Sequence, residues 1–436
     1  QTFLIFLSNR NHPDESGNVG SVRSKLATLA GEAITDYNFA YVPGSLERPE
    51  EQSTRSVSSK TLKKALNGID VLKREKFARL KGLRLGLVTN HTGVDRERNT
   101  TIDLLKEAPG VQLKALFSPE HGIRGEADEK IGDSVDQKTG LPVYSLYGER
   151  RVPSPEQLKD LDALVFDIQD IGCRFYTYTA TLGLCLEAAA KANIKYIVLD
   201  RVEPINATSI EGPVTDGTNN FVAYHSRPLR YGMTAGELAK MYNAERKFGA
   251  DLAVVQVENW TRDEWFDETG LPWVNQSPNM RNLIQATLYP GIGLHESALS
   301  VGRGTDTPFE VVGAPYIDDV LLAEKLNTAG LEGVRFVPIR FKPTYSTFKD
   351  KNCAGVFIVV TDRDKLNSVD VGIELARILY QLYPKDFAIQ KMHPLVLDAQ
   401  TIADIKANKS LAEIKRAWAH DLLTYKMRRE PFLLYK

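Results

Sequence analysis

The sequence predicts an α/β fold in which a Rossmann-like domain with a parallel sheet is followed by a smaller α+β auxiliary domain. Short apolar strands alternate with helical patterns over residues 61–304, which is typical of a parallel sheet covered by helices on both faces. Over residues 305–436 the pattern changes to a helix, two successive strands and further helices. Polar residues follow each strand of the first domain, so the carboxyl edge of the sheet is predicted to bind a ligand.

The strands and helices of both domains are predicted from the periodicity of apolar residues. The strands of the first domain are predicted at 83–89, 111–117, 163–168, 196–199 and 252–257. Helical spacing begins at Thr61 and returns between the strands at 101–107, 154–161, 178–192 and 234–248. Thr234 and Glu237 form a capping box at the start of the last of these helices. The auxiliary domain is predicted to contain helices at 317–326, 369–383 and 411–424 and strands at 334–341 and 355–360.

The first 60 residues are predicted to be a separate region. A strand, a polar turn and a helix within residues 1–35 resemble the C-terminal end of a serine β-lactamase-like domain, which implies that the rest of such a domain lies upstream in the full chain. Residues 36–60 are rich in Ser, Glu, Arg and Pro and are predicted to be a linker. The chain starts with Gln1 inside an apolar strand, so we expect its true N-terminus further upstream.

The composition is that of an ordinary globular protein and gives no reason to expect nucleic acid or a membrane span. The 436 residues are 42% hydrophobic and 25% charged, with a formal net charge of −1, so no general electrostatic attraction to nucleic acid or an anionic membrane is expected. No apolar run approaches the ~18 residues that a membrane helix needs. Cys173, Cys185 and Cys353 are an odd, scattered set that predicts no disulfide framework.

The motif that carries most information is Glu120–His121, directly after the second predicted strand. Pro119 and Gly122 break regular structure on either side, so both residues are predicted on a loop at the carboxyl end of that strand. A carboxylic acid at such an edge can have its pKa tuned for proton transfer. The alternative is an acid that only caps the next segment.

Polar residues also follow the other strands. Asn90 follows the first strand, and Asp200 and Arg201 follow the fourth. The third strand is followed by the largest group, which consists of Asp167, Gln169, Asp170, Arg174, Tyr176 and Tyr178. Together these strand ends predict a convergent site, whereas any one of them alone fits helix capping or turn formation better.

The motifs argue against a nucleotide or another cofactor. The turn after the first strand has one glycine and lacks G-x-G-x-x-G, and no P-loop sequence exists in the chain. The chain contains no G-x-S-x-G motif, so the sequence does not indicate a serine hydrolase. Several residues are of types that bind metal ions, but they lack the spacing of known zinc motifs. These potential ligands are Glu120, His121, Asp167, Asp170, Asp200 and His225. We therefore expect no cofactor and keep metal-dependent hydrolysis as a minor alternative.

Paired carboxylates predict glycoside hydrolysis better than the other chemistries. One acid must protonate the leaving oxygen while a second carboxylate acts as nucleophile or base. Glu120 is the candidate general acid/base, with His121 orienting it, and Asp170 or Asp167 is the candidate second carboxylate. Tyr176 and Tyr178 could stack on sugar rings, and the alternative for such aromatics is core packing.

A second polar cluster lies within residues 275–316, and its candidates are Asn279, Glu296, Arg303 and Glu310. Gly302 and Gly304 are predicted to let the backbone turn tightly around Arg303. An arginine presented in this way suits the capture of a carboxylate. The alternative is an arginine that only holds an interdomain loop. Glu296 and Glu310 are reserve candidates for the second carboxylate.

At these motifs the chain resembles the exo-β-N-acetylmuramidases of the peptidoglycan-recycling type, a bacterial family formerly described as a domain of unknown function. Matching stretches include Ser118 to Gly125, Arg174 to Tyr178 and Gly302 to Thr305, within a resemblance that runs from about Leu66 to Tyr435. The resemblance implies release of N-acetylmuramic acid from the non-reducing end of peptidoglycan fragments. It also implies a Rossmann-like domain plus an auxiliary domain, with the site between them, and a periplasmic or secreted location.

Five positions depart from the pattern of this family. Val202 stands where the family usually has Pro, Glu203 where it has Asn, Tyr231 where it has His, His91 where it has Pro, and Val301 where it has an acid. These departures keep open a rival interpretation, a non-catalytic module that binds peptidoglycan fragments within a larger fusion protein. Lactyl carboxylate recognition is assigned to Arg303 or Arg174 as a hypothesis.

Overall fold

The computed structural model describes residues 64–119, 122–123, 132–148, 150–217 and 219–436. The predicted β-lactamase-like region at 1–35, the linker at 36–60, and the candidates Glu120 and His121 lie outside these described residues. The fold class agrees with the prediction, because a large, mostly parallel sheet and a smaller antiparallel sheet are both present. The domain limits at 61–304 and 305–436 stay a prediction.

The large sheet has seven strands among the described residues, in the order β3-β4-β2-β1-β5-β6-β7. Five of these strands, β1, β2, β5, β6 and β7, were predicted with their ends within one or two residues. The strands are β1 Arg84–Thr89, β2 Gln112–Ser118, β3 Ser134–Val135, β4 Pro142–Ser145, β5 Ala163–Asp167, β6 Lys195–Leu199 and β7 Leu252–Val255. Only β3 runs antiparallel to its neighbour. The strand order reverses direction between β1 and β5, which makes their carboxyl ends the expected crevice of the sheet.

Helices cover both faces of the large sheet, as the two-sided apolar strands predict. They are α1 Gly68–Arg74, α2 Thr101–Glu107, α3 Pro155–Leu158, α4 Tyr178–Lys191 and α5 Ala235–Glu245. Alternate strand residues point to opposite faces, so Val165 packs in one core with α1 and α2, whereas Leu164 packs in another with α4 and α5. The predicted capping box is confirmed, because Thr234 and Glu237 each bond the other's backbone.

The predicted helical spacing from Thr61 is wrong at its start in the described residues. The helix begins only at Gly68, after Asn67 as N-cap. Leu66 instead pairs its backbone with Glu258, whose N–H donates to the Leu66 carbonyl at 2.9 Å. The local apolar spacing favours a helix here, but the backbone hydrogen bonds to a distant residue hold this segment in an extended conformation.

The small sheet has the order β8-β10-β9 and is antiparallel, with β8 Val311–Ala314, β9 Val334–Phe341 and β10 Cys353–Val360. Its surrounding helices are α6 Leu283–Ile292, α7 Asp319–Asn327, α8 Ser368–Leu382, α9 His393–Val396, α10 Ala399–Lys406 and α11 Leu411–Arg429. Short 3₁₀ turns lie at Ala78–Leu80, Phe266–Glu268, Gly293–His295, Ile389–Met392 and Glu430–Phe432. The sequence analysis gave neither β8 nor α6.

Helix α6 forms although Pro290 and Gly291 resemble helix breakers. Its Gly291 packs against α8 so closely that an added Cβ would lie 1.7 Å from the Ser368 carbonyl oxygen, and a Cβ at Gly372 would lie 2.3 Å from the Gly291 oxygen. The two glycines let the helix backbones approach each other. Tertiary packing therefore overrides the local signal.

The last helix and the C-terminal residues return to the large sheet. Tyr425 donates its hydroxyl to the Tyr231 carbonyl at 3.1 Å, and Arg429 donates to the Gly232 carbonyl at 2.6 Å. Tyr435 donates to Asp200 at 2.5 Å. Among the described residues no helix has the length and apolar character to cross a membrane.

Candidate active site

A cavity of about 150 Å³ brings together five of the residues that the sequence analysis singled out. These are Tyr176, Tyr178, Asn279, Glu296 and Arg303. Tyr176 lies on the loop before α4 and Tyr178 is the first residue of α4, whereas the segments on either side of α6 supply the polar groups. The two clusters that the sequence predicted separately therefore share one cavity.

One side of the cavity is an aromatic wall, formed by Phe175, Tyr176, Tyr178, Tyr289 and Phe309. Neighbouring rings meet edge to face, with centroids 5.1 Å apart for Tyr176 and Tyr178 and 4.7 Å apart for Tyr289 and Phe309. Tyr178 donates its hydroxyl to the Gln276 carbonyl at 2.7 Å, which fixes its ring. Tyr176 is half-buried and exposes part of its surface to the cavity. Such flat apolar faces suit sugar rings.

Asp170 holds the loop that carries Phe175 and Tyr176 of the aromatic wall. Its Oδ2 accepts the Gly172 N–H at 2.9 Å and the Tyr231 hydroxyl. Gly172 has φ +78°, and a Cβ there would lie 2.0 Å from the Glu203 Oε1. The chain can therefore turn at this point only with a glycine.

Asp170 and Glu203 form a buried pair of acids. Burial raises the pKa of Asp170 to about 6, although the Tyr231 hydroxyl, the Gly172 N–H and Arg227 oppose the shift. Burial, and next the charge of Asp170, raise the pKa of Glu203 well above its ordinary value. Two of the departures from the family pattern, Glu203 and Tyr231, thus lie beside the same acid.

The polar side of the cavity is formed by Glu296, Arg303 and Asn279. Arg303 Nη1 donates to Glu296 Oε2 at 3.2 Å, and the two side chains are 30% and 21% exposed. Gly302 and Gly304 have φ values of +77° and +84°, which confirms the predicted turn around Arg303. The 3₁₀ turn at Gly293–His295 leads directly into Glu296. Both charges are therefore accessible from the cavity.

Asp167 and Arg201 lie instead inside the fold. Arg201 donates to both carboxylate oxygens of Asp167, at 2.6 and 3.0 Å, and Thr101 donates to Asp167 at 2.5 Å. Their side chains are 0% and 5% exposed. The pair joins the ends of β5 and β6, and the structure does not bring it to the cavity.

Asp200 has a similar environment. It accepts hydrogen bonds from Thr234 at 2.7 Å, from the Gly236 N–H at 2.8 Å and from Tyr435. Burial raises its pKa to about 6. Its contacts fix the start of α5 and the C-terminal segment.

Arg174 is fully buried and donates to four backbone carbonyls. Nη1 reaches Pro213 at 2.9 Å and Arg227 at 3.0 Å, while Nη2 reaches Leu395 at 2.8 Å and Val396 at 2.5 Å. Burial lowers its pKa to about 9. The guanidinium joins several loops and does not line the cavity.

The remaining candidates shape loops. Asn90 accepts the Thr92 N–H at 2.9 Å, and Gln169 donates to the carbonyls of Asp170 and Val202, both at 2.9 Å. Glu310 accepts from Gln285 at 2.8 Å and from Asn282 at 3.3 Å, both near the start of α6. None of these three lines the cavity.

The sequence analysis missed Tyr345, which lies on the loop between β9 and β10. Its hydroxyl donates to Asn279 Oδ1, and the Arg303 guanidinium carbon lies 5.8 Å from the centre of its ring. No local motif marks this residue, because its neighbours in the site are distant in sequence.

The described residues bring one group of three acids close enough for a metal ion, Asp70, Asp95 and Glu97. Lys73 donates to Asp95 at 2.6 Å and to Glu97 at 3.0 Å, so an ammonium group already balances charge there. His225, which the sequence analysis named only as a potential metal ligand, contacts Glu245.

Family models match most of the chain. The model described as "Exo-beta-N-acetylmuramidase NamZ, N-terminal" matches residues 85–284, and the corresponding C-terminal model matches residues 287–435. A curated protein, the peptidoglycan beta-N-acetylmuramidase NamZ of Bacillus subtilis (strain 168), is 41% identical over 379 residues. That alignment covers 85% of this chain and 92% of the relative.

Two solved structures share the fold. Both are DUF1343 family proteins from Bacteroides fragilis NCTC 9343. The first has a TM-score of 0.76 and 38% identity, covering 86% of this chain and 99% of the other. The second has a TM-score of 0.69 and 30% identity, covering 85% and 99%.

Proposed function

Because the chain belongs to the exo-β-N-acetylmuramidase NamZ family, we propose that it hydrolyses peptidoglycan fragments and releases N-acetylmuramic acid from their non-reducing end. The observation that supports this function most directly is the cavity, where an aromatic wall faces the Glu296–Arg303 ion pair. Aromatic faces suit a sugar ring, and the ion pair offers the charged groups for chemistry and recognition. The chain is thus a glycosidase.

Glu120 keeps its predicted role as general acid/base. It follows β2, whose register places Phe117 beside Val88 of β1, so the strand end adjoins the predicted edge of the sheet. Protonation of the leaving oxygen by a positioned acid typically accelerates such a step by about 10²–10⁴-fold. His121 is proposed to orient this acid.

Glu296 is the better second carboxylate. Asp167 is buried in its ion pair with Arg201, and Asp170 is a buried acid that holds the loop before Phe175 and Tyr176. Glu296 alone among the three lines the cavity. We assign it the role of nucleophile or base, and the separation between the two carboxyl groups decides retention or inversion.

Arg303 is the proposed partner of the lactyl carboxylate of muramic acid. Its guanidinium faces the cavity, whereas all four terminal donors of Arg174 already serve carbonyls. A guanidinium can bind a carboxylate with two parallel hydrogen bonds. This geometry favours an acid sugar over N-acetylglucosamine.

We further propose that the enzyme acts in the periplasm or outside the cell, where its substrate lies. The resemblance of residues 1–35 to the end of a serine β-lactamase-like domain supports a fusion of two activities in the full chain. A fusion of this kind would hold both domains near the same wall material.

The decisive experiment is incubation with the N-acetylmuramic acid–N-acetylglucosamine disaccharide, followed by mass analysis of the products. We expect both monosaccharides from the wild type, and a loss of kcat of about 10²-fold or more in Glu120→Gln and in Glu296→Gln. Glu310→Gln is the matched control, because its carboxylate accepts hydrogen bonds from Asn282 and Gln285 at the start of α6 and does not line the cavity. Near-normal turnover of Glu296→Gln would contradict its role.

Two outcomes separate the rival functions. Binding of the disaccharide by the wild type without any cleavage would identify a binding module. Loss of activity in a chelator, restored by a divalent cation, would identify metal-dependent hydrolysis.

A further inference from the structure

The loop between β9 and β10, residues 342–352, extends from the small sheet to the cavity. Thr344 donates to the Gly304 carbonyl from its N–H at 3.1 Å and from its hydroxyl at 2.9 Å. Thr347 donates its hydroxyl to the Glu296 carbonyl at 2.6 Å. The loop thus contacts the backbone on both sides of the Glu296–Arg303 segment.

The loop can approach this closely because residue 304 is glycine. Gly304 has φ +84°, and a Cβ there would lie 2.6 Å from the Tyr345 nitrogen and 2.7 Å from the Thr344 nitrogen. Ser346, Phe348 and Asp350 also have positive φ values, of 69°, 62° and 60°. Non-glycine residues adopt this conformation only when surrounding contacts hold them there.

Tyr345 contacts two of the three polar side chains of the cavity, Asn279 and Arg303. Its hydroxyl donates to Asn279 Oδ1 and lies beside the Arg303 guanidinium. Burial would lower the pKa of Arg303, but Glu296 and a hydrogen bond with Tyr345 raise it above the ordinary value. A cation beside the hydroxyl attracts its oxygen, so the hydroxyl proton points toward Asn279.

This polarity fixes the orientation of the Asn279 amide. Because Oδ1 accepts from Tyr345, the donor Nδ2 remains for the cavity that Asn279 lines. Arg303 also carries donors only. The two side chains thus form a subsite of hydrogen-bond donors that matches a group made of acceptors, such as a carboxylate.

We propose that Tyr345 is a positioning residue that orients Asn279 and Arg303 for an acidic group of the substrate. The inference rests on the proposed function for the identity of that group, the lactyl carboxylate. The contact between Tyr345 and Asn279 would then help the protein to distinguish N-acetylmuramic acid from N-acetylglucosamine. Tyr345 itself takes no part in the chemical step.

The test is Tyr345→Phe, which removes the hydroxyl and keeps the ring beneath the guanidinium. We expect KM for the muramyl disaccharide to rise about tenfold, the effect of one hydrogen bond to a charged group, while kcat changes less than about twofold. Tyr316→Phe is the matched control. Its hydroxyl is buried and has no hydrogen-bond partner among the described residues, and its ring centroid lies 6.4 Å from that of Phe348, which is on the loop of Tyr345.

Calorimetry separates this inference from the proposed function. The wild type is expected to bind N-acetylmuramic acid more tightly than N-acetylglucosamine, and Tyr345→Phe is expected to lose most of that difference while Tyr316→Phe keeps it. Unchanged KM and unchanged sugar preference in Tyr345→Phe overturn the inference, as does a loss of kcat alone. A wild type that prefers the acid sugar but cleaves no disaccharide contradicts the proposed function and leaves the role of Tyr345 intact.

A second variant covers failure of Tyr345→Phe to fold. Asn279→Asp places an acceptor where the donor is proposed, at nearly the same volume. We expect it to weaken binding of N-acetylmuramic acid by tenfold or more and to leave N-acetylglucosamine within about threefold. Equal weakening of both sugars would contradict a donor subsite.

Discussion

The strand ends of the large sheet and the loops around the cavity contain the same residue types but use them differently. At the strand ends, Asp167 and Arg201 form an ion pair that is almost completely buried. At the cavity, Glu296 and Arg303 form an ion pair that remains partly exposed. The first pair holds elements of the fold together, whereas the second is available to a ligand.

The comparison shows that an acid at a strand end is not by itself evidence of a site. Asp167 and Asp200 accept hydrogen bonds on both carboxylate oxygens from donors on other elements, as Asp200 does from Thr234, Gly236 and Tyr435. Buried polar groups need such partners because leaving them unpaired costs free energy. The charged side chains of the cavity differ in that they are partly exposed and line an open space.

Arginine truncation should separate the two regions most clearly. Arg201→Ala leaves the Asp167 carboxylate buried without its partner and should lower the free energy of unfolding by about 3–5 kcal/mol. Arg303→Ala should cost about 1 kcal/mol or less, since its pair is partly exposed, and should raise KM instead. Urea unfolding and steady-state kinetics of both variants test this. Equal destabilisation by the two substitutions would remove the distinction.

The pH dependence of stability should reveal the buried Asp170. Its pKa in the folded protein is about 6, against 3.8 for an ordinary aspartate, so the folded state binds the proton more tightly. Its contribution to stability is therefore fully present below pH 4 and is lost as the pH rises toward 6, on the order of 3 kcal/mol. Glu203, Tyr231 and Arg227 face the same carboxyl group and set its titration.

Asp170→Asn should remove this loss, as measured by urea unfolding between about pH 2 and pH 7, a range that covers the titration of both Asp170 and the control residue. Asp162→Asn is the control of opposite sign. Hydrogen bonds from Arg84 lower the pKa of Asp162 to about 2, so its contribution is present above pH 4 and disappears as the pH falls. A pH profile that is the same in wild type and Asp170→Asn would show that Asp170 is not the titrating group.

The smallest expected change in stability comes from removing a tyrosine hydroxyl, and two tyrosines can be compared. Tyr435 donates to Asp200 and accepts the Val257 N–H at 3.0 Å, far from the cavity residues in the chain. Tyr435→Phe should reduce stability by about 1–2 kcal/mol without changing KM. Tyr345→Phe should instead raise KM and leave the free energy of unfolding nearly unchanged. A rise in KM for Tyr435→Phe would mean that the C-terminal segment also acts on the site.

Local sequence patterns predicted much of the fold because its elements carry their own signals. The spacing of apolar residues placed β1, β2, β5 and β6 within two residues, and Thr234 with Glu237 placed the start of α5. Helix α6 and strand β8 were missed, since each depends on contacts that the local sequence does not contain. For α6 the deciding contact is the close approach of Gly291 to α8.

The candidate site was predicted in part. Tyr176, Tyr178, Asn279, Glu296 and Arg303 meet in one cavity, and all were named from polar clusters and the family resemblance. Asp167, Arg174 and Asp200 were named on the same grounds, yet each is enclosed by partners within the fold. Sequence pattern alone could not distinguish the two groups.

The sequence by itself determined the alternation of strands and helices, the caps and the family, because these depend on neighbours a few residues apart. Only the tertiary structure decided which charged side chains are saturated and which face the cavity. Arg201 reaches Asp167 across 34 residues, and Tyr345 reaches Asn279 across 66. Burial and pairing of a polar group are set by such distant partners, and its chemical availability follows from them.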